Sequence, residues 1–338
     1  MLMYWRKIIL NKTNLAVLSK YRLPIMGLGA FLILFFHLWI NIFGNISILY
    51  SFERFLRNIS YFGVDIFFLT SAIGLYHSLS RDNNIKNFYK KRFLRLFIPW
   101  TVCCIVTALD KNQSFVDFIK NYVGYNFFFK SIYYFKWYVP AISLIYLIYP
   151  LFFKLFNKAK NKKAFTIYST FLWIIIFILL QNHIRSDFYG LIWRIPIFML
   201  GTLCEYLILN EEVEIKNIYL FMIFIFSIVI AYFLNGKKLL VNDGQLLYVN
   251  YSLAFSTSML LGKYLENKQR NVALLNMWGK SSLELYLFQE LIGMKLINFL
   301  MPLRFKLLIN IIVFGIVSIC CYLLKRLFDY IENICIIK

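Results

Sequence analysis

The sequence predicts an all-α fold, a polytopic transmembrane helical bundle of about ten spans with both termini in the cytoplasm. The first indication is composition, because 61% of the 338 residues are hydrophobic and 20% are aromatic, whereas soluble domains are about 45–50% apolar. The second is the recurrence of apolar runs that reach the roughly 17–25 residues needed to cross a bilayer. The third is the alternation of basic and less basic loops along the chain.

Ten apolar segments meet the length requirement. They are 24–43, 61–79, 94–110, 137–155, 164–182, 190–209, 216–234, 245–263, 281–300 and 306–324. We predict one membrane domain over 24–326, preceded by an interfacial cytoplasmic segment over 1–23 and followed by a cytoplasmic tail over 327–338. The first segment has cations but no small-residue cleavage site, so we expect it to be retained.

The distribution of cations sets the predicted orientation. The net charge is +21, and the cations concentrate in the N-terminal segment, the loops after spans two, four and eight, and the C-terminus. With ten spans all five lie on one side of the membrane, as cytoplasmic segments should. Anionic lipid explains this charge, so no nucleic-acid partner is expected. The six cysteines include no CxxC pair and predict neither a disulfide framework nor a metal site.

The stretch 61–99 combines two unusual features. Asp65 lies inside an apolar span, where a carboxylate is costly and is usually paired or functional; the alternative is that it stabilises a helix N-terminus. After the span come six cations, Arg81, Lys86, Lys90, Lys91, Arg92 and Arg95. Arg92 and Arg95 are three residues apart and share a helix face. Their guanidinium groups match phosphate oxygens, although lipid anchoring explains part of the cluster.

His37 lies deep in the first predicted span, in its outer half. A neutral imidazole can accept a proton from an alcohol, so this residue is a candidate general base. The alternative is a histidine that is bonded to a neighbouring helix. Because spans one and two run in opposite directions, we expect His37 and Asp65 at a similar level. A carboxylate there could orient the imidazole.

Other polar or aromatic groups mark later spans. Trp137 and Tyr138 open span four on the outer side, which is typical of an interfacial aromatic belt. Arg194 lies just inside span six and either snorkels towards water, binds a sugar hydroxyl or carboxylate, or holds an acidic partner. Glu284 and Gln289 lie within span nine, and an intramembrane glutamate is either functional or paired for structural reasons.

Six blocks of sequence, in this order, resemble the integral-membrane acyltransferase family 3. They are GLGAFLILFFH, YFGVDIFFLTSAIGLY, FYKKRFLRLFIPW, KWYVPAISLIYLIYPLF, RIPIFMLG and GKSSLELYLFQ. The resemblance covers nearly the whole chain. It implies a multi-pass enzyme of the bacterial cytoplasmic membrane that transfers acyl groups, often acetyl from acetyl-CoA, to hydroxyls of envelope or exported carbohydrates.

The resemblance also implies residue roles. His37 corresponds to the family's intramembrane catalytic histidine, Asp65 and Ser71 fall in its GVD-FF-S block, and Arg92 and Arg95 correspond to the pair that engages the CoA donor. From the residue argument above, we expect Asp65 to act in catalysis by orienting His37. Acyl-CoA is then a co-substrate, and no tightly bound cofactor or metal is expected. Further candidates for acceptor binding or support of the site are Ser71, Trp137, Tyr138, Arg194 and Glu284.

Three positions depart from the family pattern. Met26 stands where a cation is frequent, Ala72 where a glycine is usual, and Gln289 where a histidine is common. A rival interpretation is a polytopic transporter or flippase for a polysaccharide intermediate, in which the intramembrane polar groups line a pathway. A third is a membrane protein that keeps the fold without the chemistry. A transporter does not require a phosphate-matching arginine pair beside a cytoplasmic entrance.

Overall fold

The computed structural model describes residues 11–44, 47–129, 136–180, 186–236, 247–268 and 272–337. These residues are nearly all helical, which confirms the predicted all-α fold. In chain order the helices are α1 (Val17–Lys20), α2 (Arg22–Leu38), α3 (Ile48–Ile59), α4 (Gly63–Arg81), α5 (Ile85–Asp110), α6 (Phe115–Tyr122), α7 (Tyr125–Phe129), α8 (Tyr138–Lys158), α9 (Lys162–Leu180), α10 (Ser186–Ile192), α11 (Ile195–Asn210), α12 (Asn217–Gly236), α13 (Leu247–Lys268), α14 (Ala273–Lys280), α15 (Ser282–Leu300) and α16 (Lys306–Ile337). Strands β1 (Lys12–Asn14) and β2 (Glu214–Lys216) pair antiparallel.

Among the described residues, seven helical segments are long and apolar enough to cross a membrane. They are Ile48–Arg81, Ile85–Asp110, Tyr138–Lys158, Lys162–Leu179, Gly190–Asn210, Asn217–Leu234 and Lys306–Ile334. The shorter helix α2 is also apolar. The chain is therefore a helical, multi-pass membrane protein, while the count of ten spans and the side of the termini remain predictions. Parts of the predicted segments 1–23, 164–182, 245–263 and 327–338 lie outside the described residues.

The chain forms two compact units. The first comprises Met1–Ile73 and Cys204–Lys325, and the second comprises Gly74–Leu203 and Arg326–Lys338. Helices α4, α11 and α16 contribute residues to both units. Each unit is described separately below, and the single membrane domain over 24–326 remains a prediction.

Helix α2 lies at the centre of the first unit because glycines let other backbones approach it closely. A Cβ atom on Gly27 would lie 1.9 Å from the Leu275 oxygen of α14, and one on Gly279 would lie 2.0 Å from the Leu23 oxygen. At the start of α4, a Cβ atom on Gly63 would lie 2.6 Å from the Gly29 oxygen. Interiors are close-packed, so these positions leave no room for a side chain.

The second unit is built around the aromatic face of α8. Tyr149 packs edge-on against Phe198 of α11, with ring centroids 5.5 Å apart, and Phe156 packs against Phe165 of α9 at 5.8 Å. Beyond α5, the short helix α6 folds back along it, and the indole of Trp100 donates a hydrogen bond of 2.9 Å to the Tyr122 carbonyl oxygen.

Candidate functional site

His37 occupies the last turn of α2 and is half-buried. Its neighbour Phe36 packs against Tyr61, just before α4, with ring centroids 5.2 Å apart. Its other neighbour, Leu38, contacts α15 at Gly293, where a Cβ atom would lie 2.5 Å from Leu38 Cδ1. Successive helical residues are about 100° apart. His37 therefore points between the direction of Tyr61 and the direction of α15.

The chain immediately after His37 is held by two buried side chains. The Glu53 carboxylate accepts hydrogen bonds from Trp39 Nε1 at 2.7 Å, the Ile42 amide at 2.8 Å and the Phe43 amide at 3.2 Å. Asn310 accepts one from the Ile40 amide and donates one to the Ile40 carbonyl oxygen, both at 2.9 Å. These bonds fix the backbone that directly follows the histidine.

Sequence reasoning missed both of these side chains. Glu53 lies outside every predicted span, in the amphipathic helix α3, and Asn310 lies on α16 within the last predicted span. The amphipathic pattern of α3, with one carboxylate among apolar residues, is the one signal that could have drawn attention to Glu53. Asn310 carries no such signal, because its partner Ile40 is 270 residues away in sequence.

Asp65 lies in the first turn of α4 and is fully buried. The residues of α4 that face α2 are Gly63, Ile66 and Phe67, which surround Gly29. Asp65 lies about 100–200° around the helix from these residues, so its position faces away from α2. The crossing at Gly29 is eight residues before His37, about 12 Å along α2. The common level of His37 and Asp65 and a catalytic role for Asp65 both remain predictions.

Helix α15 places two buried polar side chains on opposite faces. Gln289 lies one turn before Gly293 and shares its face towards α2. Glu284 lies nine residues before Gly293, about 180° around the helix. The exposed fraction is 0% for Gln289 and 1% for Glu284. Ser71, which is half-buried on α4, lies about 9 Å beyond Asp65 along that helix.

In the second unit, the two arginines of the RxxR pair have different surroundings. Arg92 is half-buried, donates a hydrogen bond of 3.4 Å to the Gly74 carbonyl oxygen and lies 5.7 Å from the centre of the Phe88 ring. Arg95 is 3.7 Å from the carboxylate of Asp329 on α16. The two arginines share a helix face because they are three residues apart. Within the described part of the chain, a carboxylate contact is observed for Arg95 and not for Arg92.

A cavity of about 650 Å³ opens beside Arg92. Arg92 and Lys90 supply its cations, while its walls are apolar and aromatic and come from α5, α8 and the segment 122–128. A cavity with this lining suits a ligand that joins an anionic group to a less polar chain. The sequence did not predict the contribution of 122–128, because it placed that segment in a loop between spans.

Arg194 and Trp137 form a buried contact in the same unit. The guanidinium group is 5.1 Å from the Trp137 ring centre and donates a hydrogen bond of 2.7 Å to the Gly190 carbonyl oxygen. Arg194 is 0% exposed, and Trp137 and Tyr138 are 9% and 8% exposed. Snorkelling of Arg194 is therefore wrong, as is an interfacial belt for the two aromatics. Whether the group binds acceptor or supports the fold remains a prediction.

The fold and these polar groups define a class: a multi-pass helical membrane protein with a half-buried histidine in one unit and a basic, apolar-walled cavity in the other. A family model described as an acyltransferase domain, acyltransferase family 3, matches residues 27–326. The chain belongs to this family, which confirms the resemblance. No curated protein and no solved structure matches it.

Family membership supports a membrane acyltransferase in general and speaks against the transporter interpretation. All candidate residues, from His37 to Glu284, lie within the matched range.

Proposed function

We propose that this protein is an O-acyltransferase of the bacterial cytoplasmic membrane. It moves an acyl group, expected to be acetyl from acetyl-CoA, to a hydroxyl of a surface or exported carbohydrate. Family membership supports the acyltransferase chemistry. The observation that carries the assignment of the base is the location of His37, directly before a backbone segment that Glu53 and Asn310 hold through part-buried hydrogen bonds.

Donor binding is assigned to the basic residues of the second unit. The phosphates of acyl-CoA bind Arg92 and Lys90 at the cavity, and the pantetheine arm follows the less polar walls. Guanidinium groups suit this task because their fork of N–H donors matches phosphate oxygens. When a phosphate of the donor replaces Asp329 as its partner, the guanidinium group of Arg95 provides a second set of N–H donors for acyl-CoA.

His37 acts as the general base on the acceptor hydroxyl. Its neutral imidazole takes the hydroxyl proton while the oxygen forms a bond to the thioester carbonyl carbon. The C–S bond then breaks, and the CoA thiolate receives a proton from the imidazolium. A route in which the acyl group first passes to the enzyme uses the same base in its second half. The carbohydrate hydroxyl is the final acceptor in both routes.

The experiment uses membranes that contain the full chain and acetyl-CoA labelled in the acetyl group. We expect label in the carbohydrate fraction with the unchanged protein, and a loss of about 100-fold or more with His37→Ala. His37→Ala should keep the membrane level and the thermal unfolding midpoint of the unchanged protein. A fully active His37→Ala variant would refute the assignment of the base. Movement of unlabelled carbohydrate without incorporation would instead indicate transport.

A further inference from the structure

Gln289 of α15 carries a side-chain amide that is buried in the described part of the chain. Its side chain is 0% exposed, and neither Oε1 nor Nε2 has a hydrogen-bond partner among the described residues. Buried polar groups nearly always have partners, so such a group calls for an explanation. Asn310 provides the contrast, because its equally buried amide is bonded through both its oxygen and its nitrogen.

The location of Gln289 relates it to the candidate base. Gly293 of α15 contacts Leu38, the residue that follows His37. Gln289 is one turn before Gly293 on the same face, which places it about 6 Å along α15 from that contact. Both Gln289 and His37 therefore lie near the seam between α15 and the end of α2. Glu284 lies on the opposite face of α15 and does not share this seam.

We propose that the side-chain amide of Gln289 hydrogen-bonds the carbonyl oxygen of the thioester during acyl transfer. When the acceptor oxygen attacks the carbonyl carbon, the C=O π electrons move to the carbonyl oxygen, which becomes an anion. His37 holds the acceptor proton at that moment, and Nε2–H of Gln289 donates to the anionic oxygen. The C=O bond then re-forms as the C–S bond breaks, and the thiolate takes the proton from His37. Gln289 stays neutral throughout.

This inference rests on the proposed function, because it uses His37 as the base. A preorganised donor aimed at a developing oxyanion is worth about 10²–10³ in kcat and acts in the transition state rather than in ground-state binding. An amide suits this role in an apolar setting because it can donate without carrying a charge. If the role of Gln289 were only to connect helices, its amide would form hydrogen bonds to neighbouring helices in the absence of ligand.

The test compares Gln289→Met, which keeps the length of the side chain and removes the amide, with Gln289→His, which retains an N–H donor. The matched control is Gln113→Met, at a glutamine whose Oε1 accepts a hydrogen bond from Asn121. The full chain in detergent or nanodiscs is assayed for acyl transfer from acetyl-CoA, and its unfolding midpoint is measured without substrate.

We expect Gln289→Met to lower kcat by about 100-fold with the KM for acetyl-CoA within about twofold. The ligand-free unfolding midpoint should stay the same or rise, because an unpartnered buried amide is lost. Gln289→His should recover part of the rate. Gln113→Met should leave the rate unchanged and, because it removes the bond from Asn121, should not raise the unfolding midpoint. An active Gln289→Met variant, or one whose unfolding midpoint falls, overturns the inference. If that variant is active while His37→Ala is inactive, the proposed function stands and only this inference fails.

Discussion

The two candidate regions of this membrane protein are built in different ways. Around the end of α2, buried side chains with directional hydrogen bonds fix the backbone beside His37, as Glu53 and Asn310 show. At the cavity of the second unit, the exposed Lys90 and the half-buried Arg92 line an otherwise largely apolar space, and Arg92 makes one long hydrogen bond to a backbone oxygen. The first region specifies geometry, whereas the second supplies charge.

This difference fits two tasks with different physical demands. Proton transfer requires the base within hydrogen-bond reach of the reacting group, and small displacements are costly. Binding of a charged donor tolerates adjustment because Coulomb attraction varies slowly with distance. Variants in the first region should therefore lower the stability of the folded protein or kcat. Variants in the second region should change the apparent affinity for the donor.

The largest effect on stability is expected at the glycines where other helices pack closely against α2. Gly27→Ala would put a Cβ atom 1.9 Å from the Leu275 backbone oxygen, and overpacking of this kind costs about 3 kcal/mol or more when backbone is in the way. We expect little folded protein, measured by size-exclusion profile and unfolding midpoint in detergent. Gly315→Ala is the control, because nothing lies within 4 Å of its added atom. A well-folded Gly27→Ala variant would contradict the close contact of α2 and α14.

A smaller but still large effect is expected at Glu53. Glu53→Ala leaves the indole N–H of Trp39 and two backbone N–H groups without their acceptor, and each unmet group costs about 1–3 kcal/mol if it stays buried. We expect a lower unfolding midpoint and a kcat reduced by at least about tenfold, since His37 precedes the released segment. Glu212→Ala, at an exposed carboxylate, should change neither. Full activity in Glu53→Ala would show that catalysis does not require the hydrogen bonds that Glu53 makes to the segment after His37.

The sequence predicted the helical fold and the family, because apolar runs and short motifs are local features. It could not predict the Glu53 and Asn310 bonds, since these depend on how loops and distant helices meet. For the same reason it could not predict which side of α4 Asp65 occupies relative to α2. Helix direction alone predicts a common level with His37, whereas the glycine pair at positions 29 and 63 fixes where α2 and α4 pack closely. A sequence places a residue along its helix, whereas packing decides which neighbour it faces.

A moderate effect on donor binding is expected at Arg92. Arg92→Ala should raise the KM for acetyl-CoA by about tenfold, equivalent to one lost charge-assisted contact of about 1.5–3 kcal/mol before solvent screening. The kcat should stay within about twofold, because ground-state and transition-state binding are lost together. Initial rates over a range of acetyl-CoA concentrations measure both. Lys91→Ala, at an exposed cation of the same helix, is the control. An unchanged KM would remove Arg92 from the donor site.

The smallest effect is expected at the contact between Arg95 and Asp329. Their side chains are 35% and 48% exposed and 3.7 Å apart, so the pair is worth at most about 1 kcal/mol. Asp329→Asn frees Arg95 for phosphate and should lower the KM for acetyl-CoA by up to about fivefold, while Arg95→Ala should raise it. Both shifts should shrink as salt is raised from 0.05 to about 0.5 M, because screening weakens exposed charge pairs. A shift in kcat instead of KM would mean that this contact affects the geometry of the reacting groups. That result would contradict the assignment of the second region to donor binding through charge.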